Sequence, residues 1–136
     1  MADTKTAGPV ARPLSPHLTI YRWPITMAMS IAHRATGIAL YAGTLLLVWW
    51  LVAAASGAGA YGTFQSVASS WFGKLVLFGY TWALIHHMLG GIRHFVWDLG
   101  AGFEPGVRNQ LAWATLVGSV VLTVALWLVV IAMKGI

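Results

Sequence analysis

Residues 35–55, ATGIALYAGTLLLVWWLVAAA, contain no charged side chain. At 1.5 Å of rise per residue, roughly 20 mostly apolar residues cover the ~30 Å of hydrocarbon in a bilayer, so this run reads as a membrane-spanning helix. Upstream the helix extends to about residue 25, with Pro24 suited to a first-turn position where its missing N–H is not needed. Downstream, Ser56-Gly-Ala-Gly-Ala-Tyr-Gly62 reads as a short connection. A second span follows over ~66–97 with Lys74 near its start, Asp98 to Asn109 forms a glycine-rich second connection, and ~109–133 is an uncharged third span closed by Lys134. Three spans nearly exhaust a chain of 136 residues. The expected fold is therefore an all-α integral membrane protein of three transmembrane helices, a single membrane domain with an extended amino-terminal arm over residues 1–24.

Composition agrees with lipid as the solvent. Hydrophobic residues make up 59% of the chain, charged residues only 8%, and mean hydropathy is +0.77, whereas soluble domains carry about 25% charged residues. No cysteine is present, which removes disulfides, zinc–thiolate sites and thiolate-held iron–sulfur clusters from this chain. The net charge of +5 does not indicate nucleic acid, because the eight Lys and Arg are scattered singly and never form a basic run. They read instead as topology signals. Lys5, Arg12, Arg22, Arg93 and Arg108 flank one side and Lys74 and Lys134 the other, so the amino terminus is expected in the cytoplasm and the carboxyl terminus in the periplasm.

The arm contains Pro9, Pro13, Pro16 and Pro24, four of the chain's five prolines, and no apolar run. It does not resemble a cleavable signal, which predicts that it is retained, and its prolines argue against regular helix there. Of the eight tryptophans, Trp23, Trp71, Trp97 and Trp113 fall near predicted span ends, where an amphipathic ring suits the headgroup level.

Titratable groups at bilayer depth cost about 2.5–3.5 kcal/mol each on insertion scales and normally face a cavity, a partner or a cofactor. Two groups of such residues are visible. Ser30, His33, Arg34 and Gly37 recur at one helical stripe of the first span. Gly79, Ala83, His87, Gly90, Gly91 and His94 share a stripe of the second, where small residues leave a shallow trough beside His87. Two readings of that trough stand together: a helix-packing face, with His87 hydrogen-bonded across helices, or a bed for a flat macrocycle with His87 as axial ligand. His86 points about 100° away from His87 and takes the structural reading. An interfacial salt bridge is expected between Arg93 and Asp98, and His17 has no partner visible in sequence.

Three blocks carry a resemblance: Arg12-Pro-Leu-Ser-Pro-His-Leu-Thr-Ile-Tyr21, Ser30-Ile-Ala-His-Arg-Ala-Thr-Gly37, and His87-Met-Leu-Gly-Gly-Ile-Arg-His94 followed by Trp97-Asp98. Together they resemble the cytochrome b (b556) membrane-anchor subunit of succinate dehydrogenase, or complex II, in the version shared by mitochondria and their bacterial relatives. The third span matches only in hydrophobicity, and Pro24 directly after Trp23 is a small departure. The resemblance implies a haem b whose iron takes His87 as one axial ligand and a residue of the smaller anchor subunit as the other. It implies a ubiquinone pocket lined by Ser30, Arg34, Ile31 and Trp23, and a haem-propionate region at His33, Arg34 and His94 beside Gly90 and Gly91. FAD and iron–sulfur clusters would belong only to the flavoprotein and iron–sulfur partner subunits, the arm packing on the latter. The implied location is the bacterial inner membrane, or the mitochondrial inner membrane in a eukaryote.

Rival readings remain at this point. One is a purely structural anchor without haem, another is a small proton or cation transporter using His33, Arg34 and His87 as a relay, and a fumarate reductase anchor is close in chemistry to the first reading.

Overall fold

In the computed structural model, residues 13–134 are described; Lys5, Pro9 and Arg12 of the arm lie outside them. The described residues form α1 (His17–Ile20), α2 (Ile25–Ala55), α3 (Ala58–Ser69), α4 (Trp71–Asp98) and α5 (Pro105–Lys134), with no strand among them. The long apolar helices α2, α4 and α5 are the three candidate spans. With 31, 28 and 30 residues they run to roughly 42–46 Å, longer than the hydrocarbon layer, so they tilt or extend past the headgroups. They alternate in direction. His33 near the start of α2 meets His94 near the end of α4, and Phe78 near the start of α4 meets Trp127 near the end of α5. Helices α2 and α4 pack against each other and each also against α3 and α5.

Local chemistry explains where each helix begins. Pro24 precedes α2 in an extended conformation and Pro105 opens α5, both at positions where a helix needs no N–H from them. Ser70 caps α4, its hydroxyl accepting a 3.0 Å hydrogen bond from the Gly73 amide. A side chain at Gly73 would run into the Val67 carbonyl, so glycine permits the tight corner between α3 and α4.

Three stretches differ from the sequence reading; one is the second connection, Asp98 to Asn109, whose last residues are helical because α5 begins at Pro105. The run Ser56 to Gly62, read as a short connection, is mostly helix: Gly57, at φ 100°, breaks the path after α2, and the chain then coils again as α3, which continues to Ser69 through the start of the stretch read as the second span. It packs on α2 and α4, with Phe64 edge-on to Trp49 at 4.9 Å. The arm also contains one helical turn, α1. Pro16 sits at its start, where a proline removes no helical bond, and Ser15 accepts the His17 amide through its hydroxyl at 3.3 Å.

The interior is small and polar while the periphery is apolar. Met29, Ala53, Ala83 and Ala112 are the buried hydrophobic residues, alongside Thr36, His86, Arg93, Thr115, Ser119 and Thr123. Leu45, Ile38 and Leu128 are among many large apolar side chains that face outward. In lipid there is no hydrophobic drive between helices, so close packing of small residues and satisfied hydroxyls hold the bundle together. Thr115, Ser119 and Thr123 each donate to a carbonyl of the preceding turn of α5. Gly43 lets the Tyr80 ring lie directly on the α2 backbone, where any Cβ would collide with it.

Candidate functional site

Three histidines converge where the first half of α2 meets the second half of α4. His33 and His87 stack with ring centroids 3.9 Å apart and planes 7° from parallel, and His94 lies 5.5 Å from His33. Glycine makes this approach possible. A Cβ on Gly90 would strike His33 Nδ1, and one on Gly37 would stand 3.1 Å from His87 Cε1. Gly91 and Gly79 behave differently, since a Cβ on either would meet nothing within 4 Å. The small-residue stripe of α4 therefore divides: Ala83 and Gly90 are buried in the helix interface, while Gly79 and Gly91 border open space.

The hydrogen bonds of His87 determine which of its nitrogens is available. Nδ1 lies 3.1 Å from the His33 carbonyl oxygen and 3.3 Å from Thr36 Oγ1. A carbonyl only accepts, so the close contact requires the proton on Nδ1 and leaves the lone pair on Nε2. His87 is half-buried. It thus has the cross-helix hydrogen bond of a structural histidine and, at its other nitrogen, an uncommitted lone pair. His86 is fully buried on the other face of α4, where Nδ1 lies 3.1 Å from the Ser119 hydroxyl of α5, and its role is to join those helices.

Ser30 and Arg34 touch one another, Arg34 Nη2 donating to Ser30 Oγ at 3.3 Å on the exposed side of α2. Ile31 beside them is also exposed, as is Trp23 just ahead of the helix. The expected pairing of Arg93 with Asp98 is replaced by burial. Arg93 lies inside the bundle with Nε and Nη1 lacking any hydrogen-bond partner, and its guanidinium sits 5.2 Å from the Trp97 ring centre. The reason is geometric: position 93 falls on the inward face with His86 and Gly90, whereas Asp98 at the helix end is exposed. Thr36, which the sequence reading passed over, is 3% exposed and completes the contact to His87.

Among the described residues no three His, Asp or Glu side chains come together as a metal site. Iron bound through His87 would need its other ligands from outside this cluster, and a haem is one group that brings them. The free Nε2 and the unobstructed space at Gly91 fit such a group. A cavity of about 600 Å³ lies elsewhere: Phe64, Lys74, Thr81 and Trp127 help to wall it between α3, α4 and α5, and it shares no residue with the histidine cluster.

Comparison with known proteins gives this arrangement a family. The sequence profile of the succinate dehydrogenase/fumarate reductase transmembrane subunit matches residues 9–126. The succinate dehydrogenase cytochrome b556 subunit of Paracoccus denitrificans is 46% identical over 124 residues, covering 91% of this chain and 93% of that protein. The subunit of the same name from Rickettsia conorii is 39% identical over 127 residues, covering 93% and 99%. The mitochondrial succinate dehydrogenase cytochrome b560 subunit of Sus scrofa is 42% identical over 123 residues, covering 85% and 69%. With the match spanning most of the chain and reaching into all three apolar helices, this protein belongs to the succinate dehydrogenase/fumarate reductase transmembrane subunit family.

Proposed function

We propose that this chain is the cytochrome b anchor of a succinate dehydrogenase. It would hold one side of a haem b, form part of a ubiquinone pocket, and tether the iron–sulfur and flavoprotein subunits to the inner membrane with its amino terminus in the cytoplasm. The observation that carries the reading is the state of His87: its Nδ1 proton is committed to the His33 carbonyl, and Nε2 remains free to ligate. Neutral imidazole brings no net charge into lipid, which suits an intramembrane ligand. The second axial ligand would come from the smaller anchor subunit. His94 and Arg34 approach the same end of the bundle as His33 and would meet the propionates, with Gly91 leaving room for the macrocycle. A bound haem supplies a one-electron redox centre.

On the quinone side, Ser30 accepts from Arg34, so its single hydroxyl proton is free to donate outward to a quinone carbonyl. Arg34 adds positive charge where negative charge builds on the quinone as electrons arrive, and Ile31 and Trp23 supply apolar wall beside them. The chain alone would have no activity, because FAD and iron–sulfur clusters lie in its partners. The test is a reduced-minus-oxidised spectrum of the detergent-purified complex, recovered through a tag on this chain. Sharp b-type bands that disappear or lose low-spin character in His87→Ala support the ligand; normal low-spin bands in that variant overturn it. An intact succinate-oxidising complex without bands would leave this chain a structural anchor at the quinone pocket.

A further inference from the structure

Thr36 is buried in α2 with its hydroxyl 2.9 Å from the Ala32 carbonyl, 2.9 Å from the His33 carbonyl and 3.3 Å from His87 Nδ1. Two oxygens, the Thr36 hydroxyl and the His33 carbonyl, thus meet at one imidazole nitrogen. The hydroxyl owns one proton, which satisfies one carbonyl. Its lone pairs then face Nδ1, and the His33 carbonyl faces it too at 3.1 Å. Only a protonated Nδ1 is compatible with both neighbours. Around this point the ring is confined on further sides: His33 covers one face at 3.9 Å, and Gly37 admits the Cε1 edge so closely that a Cβ would stand 3.1 Å from it.

We infer that Thr36 is a positioning residue for the haem-ligating imidazole of His87, acting with the His33 carbonyl to fix its tautomer and ring orientation and to raise the donor strength of Nε2. The inference rests on His87 being the axial ligand. A hydrogen bond from the distal ring nitrogen makes an imidazole a stronger donor to metal, and a stronger donor favours the oxidised iron. Loss of the hydroxyl therefore raises the haem potential, while the His33 carbonyl, being backbone, keeps the ligand in place. Threonine and valine share the branched shape that packs between α2 and α4, so the substitution isolates the oxygen.

The experiment is a potentiometric titration of the haem bands in the intact complex carrying Thr36→Val or Thr36→Ser, alongside His87→Ala. The expected result is a haem retained in both Thr36 variants, with the midpoint shifted upward in Thr36→Val and close to wild type in Thr36→Ser. If Thr36→Val fails to assemble, Thr36→Ala, which removes bulk and adds none, is compared with Thr36→Ser in the same way. An unchanged midpoint without the hydroxyl, or an equal shift in Thr36→Ser, overturns the positioning role. Low-spin bands that survive in His87→Ala overturn the ligand assignment itself and the inference with it, whereas bands lost in His87→Ala beside an unmoved Thr36→Val midpoint defeat the inference alone.

Discussion

The imidazoles of His33 and His87 lie face to face across α2 and α4, 3.9 Å between centroids and 7° from parallel, yet the bond that orients His87 goes to the His33 backbone. The two contacts are separable by mutation. His33→Ala removes the stacked ring and leaves the carbonyl, so the haem proposed at His87 should be retained with altered spectrum and potential. His87→Ala should abolish or displace it. Haem quantified per complex by its pyridine haemochrome distinguishes these outcomes, and equal loss in both variants would contradict the separation.

Adjacent glycines should respond in opposite ways. Gly90→Ala drives a methyl into His33 Nδ1 and should cost about 1–3 kcal/mol through overpacking of the α2–α4 contact. Gly91→Ala adds a methyl that meets nothing in this chain, so the helices keep their stability. Thermal unfolding of the detergent-purified complex measures the first effect, and haem retention measures the second. Haem lost from Gly91→Ala without a lower unfolding temperature would support the macrocycle lying against that residue.

Ser119→Ala should leave buried His86 without its cross-helix partner. The loss should be about 0.6 kcal/mol, with an upper end near 1.7, the range found for hydrogen bonds between membrane helices. It should fall on stability and spare the haem spectrum, since the His86 side chain leaves α4 about 100° around from the proposed ligand and bonds to α5. A shifted haem band in Ser119→Ala would count against a purely structural His86.

Arg34→Ala should slow quinone reduction while succinate oxidation with an artificial soluble acceptor continues. Removing the guanidinium takes away both the positive charge and the donor that fixes Ser30. By comparison with other preorganised donors, the loss is expected to be on the order of 10²-fold or more in turnover at saturating quinone. Equal loss of both activities would instead point to failed assembly.

The three spans are legible in sequence because lipid forbids charge over long runs, and α2, α4 and α5 obey that rule. The polar clusters are legible for the same reason: Ser30 and Arg34, one turn apart, do touch, and His33, His87, His94 and Gly90 do gather. What sequence conceals is the rotation of one helix against another. Position 93 looks interfacial by distance from the helix end, yet it faces inward, so Arg93 lies over Trp97 and away from any salt bridge with Asp98. The link from His86 to Ser119 depends on the register of α4 against α5, which neither helix encodes alone. Thr36 reads as an ordinary hydroxyl bonded back to its own helix, and it is one; only the neighbouring helix reveals its second contact. The segment that becomes α3 has turn-forming glycines, and its helicity follows from packing on α2 and α4.

The glycine-permitted contact between α2 and α4 has a consequence for how such chains can change over generations. Ser30, His33, Arg34, Thr36 and Gly37 form one uninterrupted helical stretch, and inserting or deleting a residue within it would rotate everything beyond by about 100° and shift it by about 1.5 Å. An insertion ahead of His33 would carry the carbonyl, the hydroxyl and the gap at Gly37 away from the His87 ring together, and one after it would part the carbonyl from the other two. Length variation is therefore excluded from this stretch even where single substitutions are tolerated. The turn between α4 and α5 differs in that Gly100 and Gly102 take the left-handed backbone outside any helix, so a change of count there rotates no stripe within a helix.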